Sequence, residues 1–279
     1  MIIATTQQIQ RLEFPCGNGA HEYYCDCFLD GHRGFGQVCK WLRMLREEGS
    51  IESYPVRRFK SINQGLAHTL AASAERLMLQ EMLDPSTRSE QRSIKRRVRA
   101  RHVRALKLIA SSKMLEHHLF SNDLMIWFYL SLSDPSLMDG ESLLDEWEVH
   151  MPPTSKLPVI PDLFFKIVHY SGRATLYVEA DRGTETTLQL SEKFTQYRSL
   201  LARPESVLLF VEESYRRDTK RLFELAANHL PHYGPPRLLH TVYDHHKHLN
   251  LFAQSIWSLS CDSKCSLRDW MSLRATRVG

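Results

Sequence analysis

Apolar residues recur every three or four positions through the first third of the chain, and later they gather into short continuous runs. The first pattern reads as helices and the second as strands. "TTQQIQRLEF" opens with Thr6 as a cap candidate, and Ile9 and Leu12 share a helical face. "GFGQVCKWLRMLREEG" spaces Phe35, Val38, Leu42 and Leu45 along one stripe and stops at Gly49, a residue type favoured just past a helix end. "SIESYPV", then Arg57 and Arg58, then "FKSI" reads as strand, turn and strand. "HTLAASAERLML" predicts a further helix, and "MLEHHLFSNDLMIWFYLS" an apolar one.

From residue 161 the period shortens. "DLFFKIVHY" and "ATLYVEAD" are rich in β-branched and aromatic residues and are joined by Ser171-Gly172, which predicts a hairpin. "TLQLSEKFTQYRSLL" places Leu190, Phe194, Tyr197 and Leu201 on one helical face. "ESVLLFVEES" is nearly all apolar, as a buried strand is. "TKRLFELAANHL" predicts a helix, "PRLLHTVYDHH" a strand, and "LNLFAQSIWSL" a short helix or strand. The early order of helix, helix, two-stranded wing and helix is that of a winged helix-turn-helix, whose second helix enters the major groove of DNA. Lys40 and Arg43 lie off the apolar stripe of that helix and are candidates for DNA contacts, as are Arg57 and Arg58 in the wing.

Composition changes this picture little. With 279 residues, 43% hydrophobic and 24% charged, the chain has material for one large domain or two ordinary ones. No secretory signal pattern opens it, and its most apolar run, "LMIWFYLSLS", is about half the ~20 residues a bilayer needs. The expectation is a soluble, cytoplasmic protein with no membrane partner. The six cysteines form no Cys-x-x-Cys pair, so reduced thiols are expected and not a zinc ribbon. Asp244, His245, His246 and His248 read as a polar strand end, because adjacent histidines on a strand point to opposite sides.

Charge changes the picture more. Residues 85–107 hold nine Lys or Arg and one Glu, a local +8 in a chain of net +4. Residues 1–82 balance nine basic against nine acidic side chains, so the excess is a patch. Such a patch attracts polyanions. Arg96, Arg97, Arg99 and Arg101 are its candidate phosphate contacts. Three stretches follow: a winged helix over 1–83, a basic helical connector over 84–107, and an α/β domain over 108–279.

The candidate chemistry lies on the hairpin. With Ser171-Gly172 as the turn, Asp162 would face Asp181, and Glu179 would share that face two residues back. Opposed like charges destabilise a sheet, so a positive partner is expected. Mg²⁺ or Mn²⁺ on carboxylate oxygens is one answer, and pairing with basic side chains or solvent is the other.

At these residues the chain resembles the PD-(D/E)XK nuclease superfamily: "PD" supplies Asp162 and "EAD" supplies Glu179. The family usually has lysine where this chain has Asp181. Some branches move it to the following helix, which makes Lys193 in "SEKFTQY" the candidate. Glu146 in "LLDEWEVH" is a match for an upstream helical glutamate of that superfamily. The chain resembles the replication-relaxation family of plasmid, phage and mobile-element proteins more closely. Its winged-helix part is similar to "TTQQIQRL…VCKWLRMLREEGSIES", and its nuclease-like part to "PDLFFKI…YVEADRGTETTLQLSEKFTQY".

The resemblance implies an α+β protein that binds double-stranded DNA in plasmid or mobile-element replication. One function class is a Mg²⁺- or Mn²⁺-dependent DNA nuclease or nickase. Asp162, Glu179 and Asp181 would be metal ligands, and Asp162, Glu179 and Lys193 would be catalytic. A different class is a transcriptional or partner-recruiting regulator whose nuclease-like domain is inactive. A third is a DNA-binding subunit of a defence or transposition complex. A homodimer or another protein partner is compatible with each.

Overall fold

The computed structural model describes residues 4–5, 35–57, 64–71, 88–132, 144–150, 158–169, 172–213, 217–232, 236–243 and 250–275, with single positions at 73, 74, 76 and 80. The chain divides into two compact units, with a boundary between Ile126 and Trp127.

In the first unit, β1 (Ala4–Thr5), α1 (Phe35–Glu47), β2 (Ile51–Arg57) and β3 (Gln64–Leu70) precede the long helix α2 (Arg88–Ala110). The strands form an antiparallel sheet in the order β1-β3-β2. Helix α1 ends as its sequence predicts. Gly49 takes a left-handed φ of 72°, the Ser50 amide donates to the Leu45 carbonyl at 2.7 Å, and the Gly49 amide donates to that of Arg46 at 3.0 Å. This is a Schellman closure, and glycine adopts its backbone without a Cβ penalty. Leu42 is buried, while Leu45, on the same expected stripe, is exposed.

Two expectations for this unit need correction or fall outside the description. The helix expected from His68 starts later: β3 runs through Leu70 and pairs with Ile51 there, and Ser73, Ala74, Arg76 and Gln80 are helical. Pairing with β2 along its whole length outweighs the local helical pattern. The strand expected over "FKSI" and the helix expected after Thr6 lie outside the described residues, as do Arg58 and residues 244–248.

Helix α3 (Ser112–Leu132) carries the boundary between the units. The second unit then contains β4 (Leu144–His150), β5 (Leu163–His169), β6 (Gly172–Asp181), α4 (Thr187–Tyr197), β7 (Ser206–Glu212), α5 (Thr219–His229), β8 (Leu238–Val242), β9 (Trp257–Ser258), β10 (Lys264–Cys265) and α6 (Leu267–Ala275). Its seven-stranded sheet has the order β10-β9-β8-β7-β6-β5-β4. The β6-β7 and β7-β8 pairs are parallel and the others antiparallel, so the fold is α+β with a mixed sheet. β7 carries the apolar run Val207–Val211 between Ser206 and Glu212, and all seven residues are buried, as those of a central strand are. Glu146 stands in edge strand β4, in a ladder with β5, and not in the helix that the nuclease resemblance implied.

The alternation of strands sorts the core into two faces. Tyr177, Leu208, Phe210 and Leu238 pack under Leu190, Phe194 and Tyr197 of α4 and under Leu222 and Ala226 of α5. On the opposite face Phe165 stacks on Phe128 at 4.6 Å, with Trp257 beyond. Helices α4 and α5 each follow a parallel strand, so both begin at the end of the sheet where β6 and β7 finish. No helix among the described residues is long and apolar enough to cross a membrane.

Candidate functional site

The hairpin forms in a register different from the expected one. His169 pairs with Gly172 and Leu163 with Val178, which leaves positions 170–171 as the connection. The shift on the partner strand is two residues, so each side chain keeps its face. Asp162 comes level with Glu179 and not with Asp181. Its Oδ2 accepts from the Ala180 amide at 2.8 Å.

Glu179 is buried beneath α4. Lys193 Nζ donates to its Oε2 at 2.8 Å, and the Tyr197 hydroxyl donates to Oε1. Leu190, Phe194, Tyr197 and Leu201 pin this helix to the sheet, so one turn of its buried face delivers both donors. A capping box holds its start: the Gln189 amide donates to Thr186 Oγ1 at 3.3 Å, and the Thr186 amide to Gln189 Oε1 at 2.8 Å.

Burial raises the Glu179 carboxyl, and neighbouring Asp162 raises it further. Lys193 and Tyr197 oppose the rise, and the balance is about 7. Burial also disfavours the Lys193 ammonium, but Glu179 and Glu185 more than offset that and its pKa is pushed up. The 2.8 Å contact and a second one from Lys193 to Glu185 Oε1 at 2.7 Å support a lysine that stays charged, with Glu179 as the member that titrates.

Asp181 has other partners. Arg217, just before α5, donates from Nε and, at 2.9 Å, from Nη2, while the Gly183 amide donates to Asp181 Oδ1 at 3.0 Å. Gly183 has a φ of 67°, the left-handed turn that takes the chain from β6 towards α4. The three expected carboxylates therefore do not meet at one point: Asp162 and Glu179 are brought together, and Asp181 faces a guanidinium. Among the described residues no group of three His, Cys, Asp or Glu side chains is arranged to hold a metal ion. Asp162 and Glu179 still fit a hard cation, because Mg²⁺ is held by one or two carboxylates with waters completing its shell.

Sequence reasoning missed the continuation of this cluster. Parallel pairing sets Asp181 beside Glu212 and Phe210 beside His240 on the same sheet face. Glu212 is 1% exposed and His240 3%. Neither the Glu212 carboxylate nor the His240 ring makes a hydrogen bond among the described residues, though His240 Nε2 lies 3.6 Å and Arg217 Nε 3.7 Å from its oxygens. Arg182 Nε donates to Glu213 Oε2 at 3.0 Å. The available signal was a pair of glutamates ending an otherwise apolar run.

The basic candidates lie in the first unit. Lys40 and Arg43 are exposed on α1. Arg96 and Arg99 are exposed on α2, whose Ile94 and Val98 are buried one turn apart. Arg97 and Arg101 belong to the same helix, and Arg57 ends β2; their side chains are outside the description.

The family model for replication-relaxation matches residues 2–206. The chain belongs to the replication-relaxation family. The match takes in Asp162, Glu179, Asp181 and Lys193, and ends before Glu212, Arg217 and His240. Membership in the replication-relaxation family points to a replication-related role. No curated protein matches the chain.

Proposed function

We propose that this replication-relaxation protein binds double-stranded DNA through its first unit and cleaves or nicks DNA with its second, as a PD-(D/E)XK-like nuclease dependent on Mg²⁺ or Mn²⁺. The observation that carries the reading is the Lys193 ammonium 2.8 Å from buried Glu179. Asp181 stands where the motif lysine is expected, and α4 returns a cation to the motif glutamate from the next element.

In this reading Asp162 and Glu179 hold the metal, which would polarise the scissile phosphate and activate a water. Lys193 orients Glu179 and offers positive charge to the phosphate. Tyr197 fixes the other Glu179 oxygen, leaving the carboxylate little rotational freedom. Asp181, tied to Arg217, supports the loop that leads into α4. The first unit acts as a winged helix: α1 presents Lys40 and Arg43 to a groove, and α2 lays Arg96 and Arg99 along phosphates. These contacts serve plasmid or mobile-element replication.

A second reading is an inactive nuclease-like domain in a regulator. The bidentate Asp181–Arg217 pair favours it, since it neutralises one acidic group without a metal. Purified protein on supercoiled plasmid with Mg²⁺ or Mn²⁺, beside Asp162→Ala, separates the two. Metal-dependent nicking or linearisation by wild type alone supports the nuclease. Intact plasmid with both proteins, although both bind it, supports the regulator.

A further inference from the structure

Where α4 and α5 begin, the second unit has an open cleft of about 200 Å³. Leu190, Leu222 and Leu225 line its apolar part, and Thr187, Arg217, Asp218 and Arg221 its polar part. The free amides at the start of α5 do not supply an anion site. Asp218 caps them, accepting from the Lys220 amide at 2.9 Å and the Arg221 amide at 3.4 Å. The two guanidinium groups are therefore the cationic feature. Arg217 touches both the cleft and Asp181, so the cleft adjoins the acidic cluster. A guanidinium has five N–H donors, and the two that Arg217 gives to Asp181 leave others to spend.

We infer that this cleft holds one unstacked nucleotide of a nucleic-acid strand, with its phosphate between Arg217 and Arg221 and its sugar and base against the leucines. The inference rests on the DNA-cleaving reading and deepens it by naming where a strand leaving the acidic cluster would run. Arginine suits the task because its planar fork matches phosphate oxygens. The apolar wall suits it because a nucleotide pulled from a stack exposes an apolar face that needs cover. Asp218 sets a limit: with its cap bonds made, its charge disfavours a second phosphate in the same space.

The test uses the full chain and the dinucleotide 5′-phosphoryl-thymidylyl-thymidine, with unphosphorylated thymidylyl-thymidine as the control, read by saturation-transfer NMR. Wild type should prefer the phosphorylated probe. Arg221→Gln, at an exposed position, should weaken it about tenfold, the loss of one charge-assisted hydrogen bond. Arg221→Lys should recover part of the affinity, and a Lys264→Gln variant, at an exposed position on β10, should bind as wild type does. Equal binding by wild type and Arg221→Gln, or an equal loss in Lys264→Gln, would overturn the inference. Plasmid assays keep the two proposals apart. If Arg221→Gln binds the dinucleotide and cuts plasmid like wild type, the cleft fails and the nuclease stands. If wild type cuts nothing yet Arg221 governs dinucleotide binding, the nuclease fails and the cleft stands.

Discussion

Glu179 is buried with Lys193 and Tyr197 on its two oxygens, and its titration has a definite sign. Its folded pKa is raised from 4.5 to about 7, chiefly by burial and then by Asp162. Between those values the folded protein holds a proton that the unfolded chain has released. The group's contribution is thus complete below pH 4.5 and is lost as pH rises through 7. Glu179→Gln should remove this slope, so urea titrations should show the variant gaining on wild type as pH rises from 4.5 to 7. Metal binding needs the ionised carboxylate. The rise in unfolding temperature produced by Mg²⁺ should therefore be larger at pH 8 than at pH 6, and absent in Asp162→Ala. His68 in the first unit has the opposite sign. Burial, and then Arg46, lowers its pKa from 6.5 to about 4, so it favours the folded state above pH 6.5 and loses that effect as pH falls towards 4.

At the scale of elements, helix α4 links fold to site. Its apolar face sets its height over the sheet, and the same turns carry Lys193 and Tyr197 to Glu179. Thr186→Ala removes one side of the capping box and should cost about 1 kcal/mol in chemical unfolding. The basic helix α2 makes a separate prediction. Ile94 and Val98 are buried while Arg96 and Arg99 face outward. Neutralising Arg96, Arg97, Arg99 and Arg101 together should weaken DNA binding for all sequences and flatten its salt dependence, since phosphate contacts release counter-ions without reading bases. Gel-shift titrations at several salt concentrations check this. Unchanged affinity and slope would turn that face towards a protein partner or solvent.

Across the whole molecule, what was legible in the sequence depended on how local the cause was. β7 and α4 were readable because an apolar run and a 3.6-residue stripe each state their own burial. Strand periodicity put Asp162 and Glu179 on one face, the nuclease resemblance singled out Lys193, and the structure brings Lys193 to Glu179. The hairpin register was off by two residues, since Ser171-Gly172 looks like a turn while Gly172 in fact pairs with His169. Arg217, Glu212 and His240 were unreadable: they reach the site through parallel pairing of β6, β7 and β8, whose register is set by crossover helices far along the chain. The helix after β3 was legible but placed too early, because strand pairing takes residues 68–70 before Ser73, Ala74 and Arg76 turn helical.

In the proposed nuclease, Lys193 stands in for the motif lysine. Plasmid cleavage by Lys193→Ala in Mg²⁺, with DNA affinity measured on the same preparation, tests it most directly. Wild type should cut, and the variant should lose cleavage while binding DNA with nearly unchanged affinity. Cleavage by Lys193→Ala at the wild-type rate would contradict it.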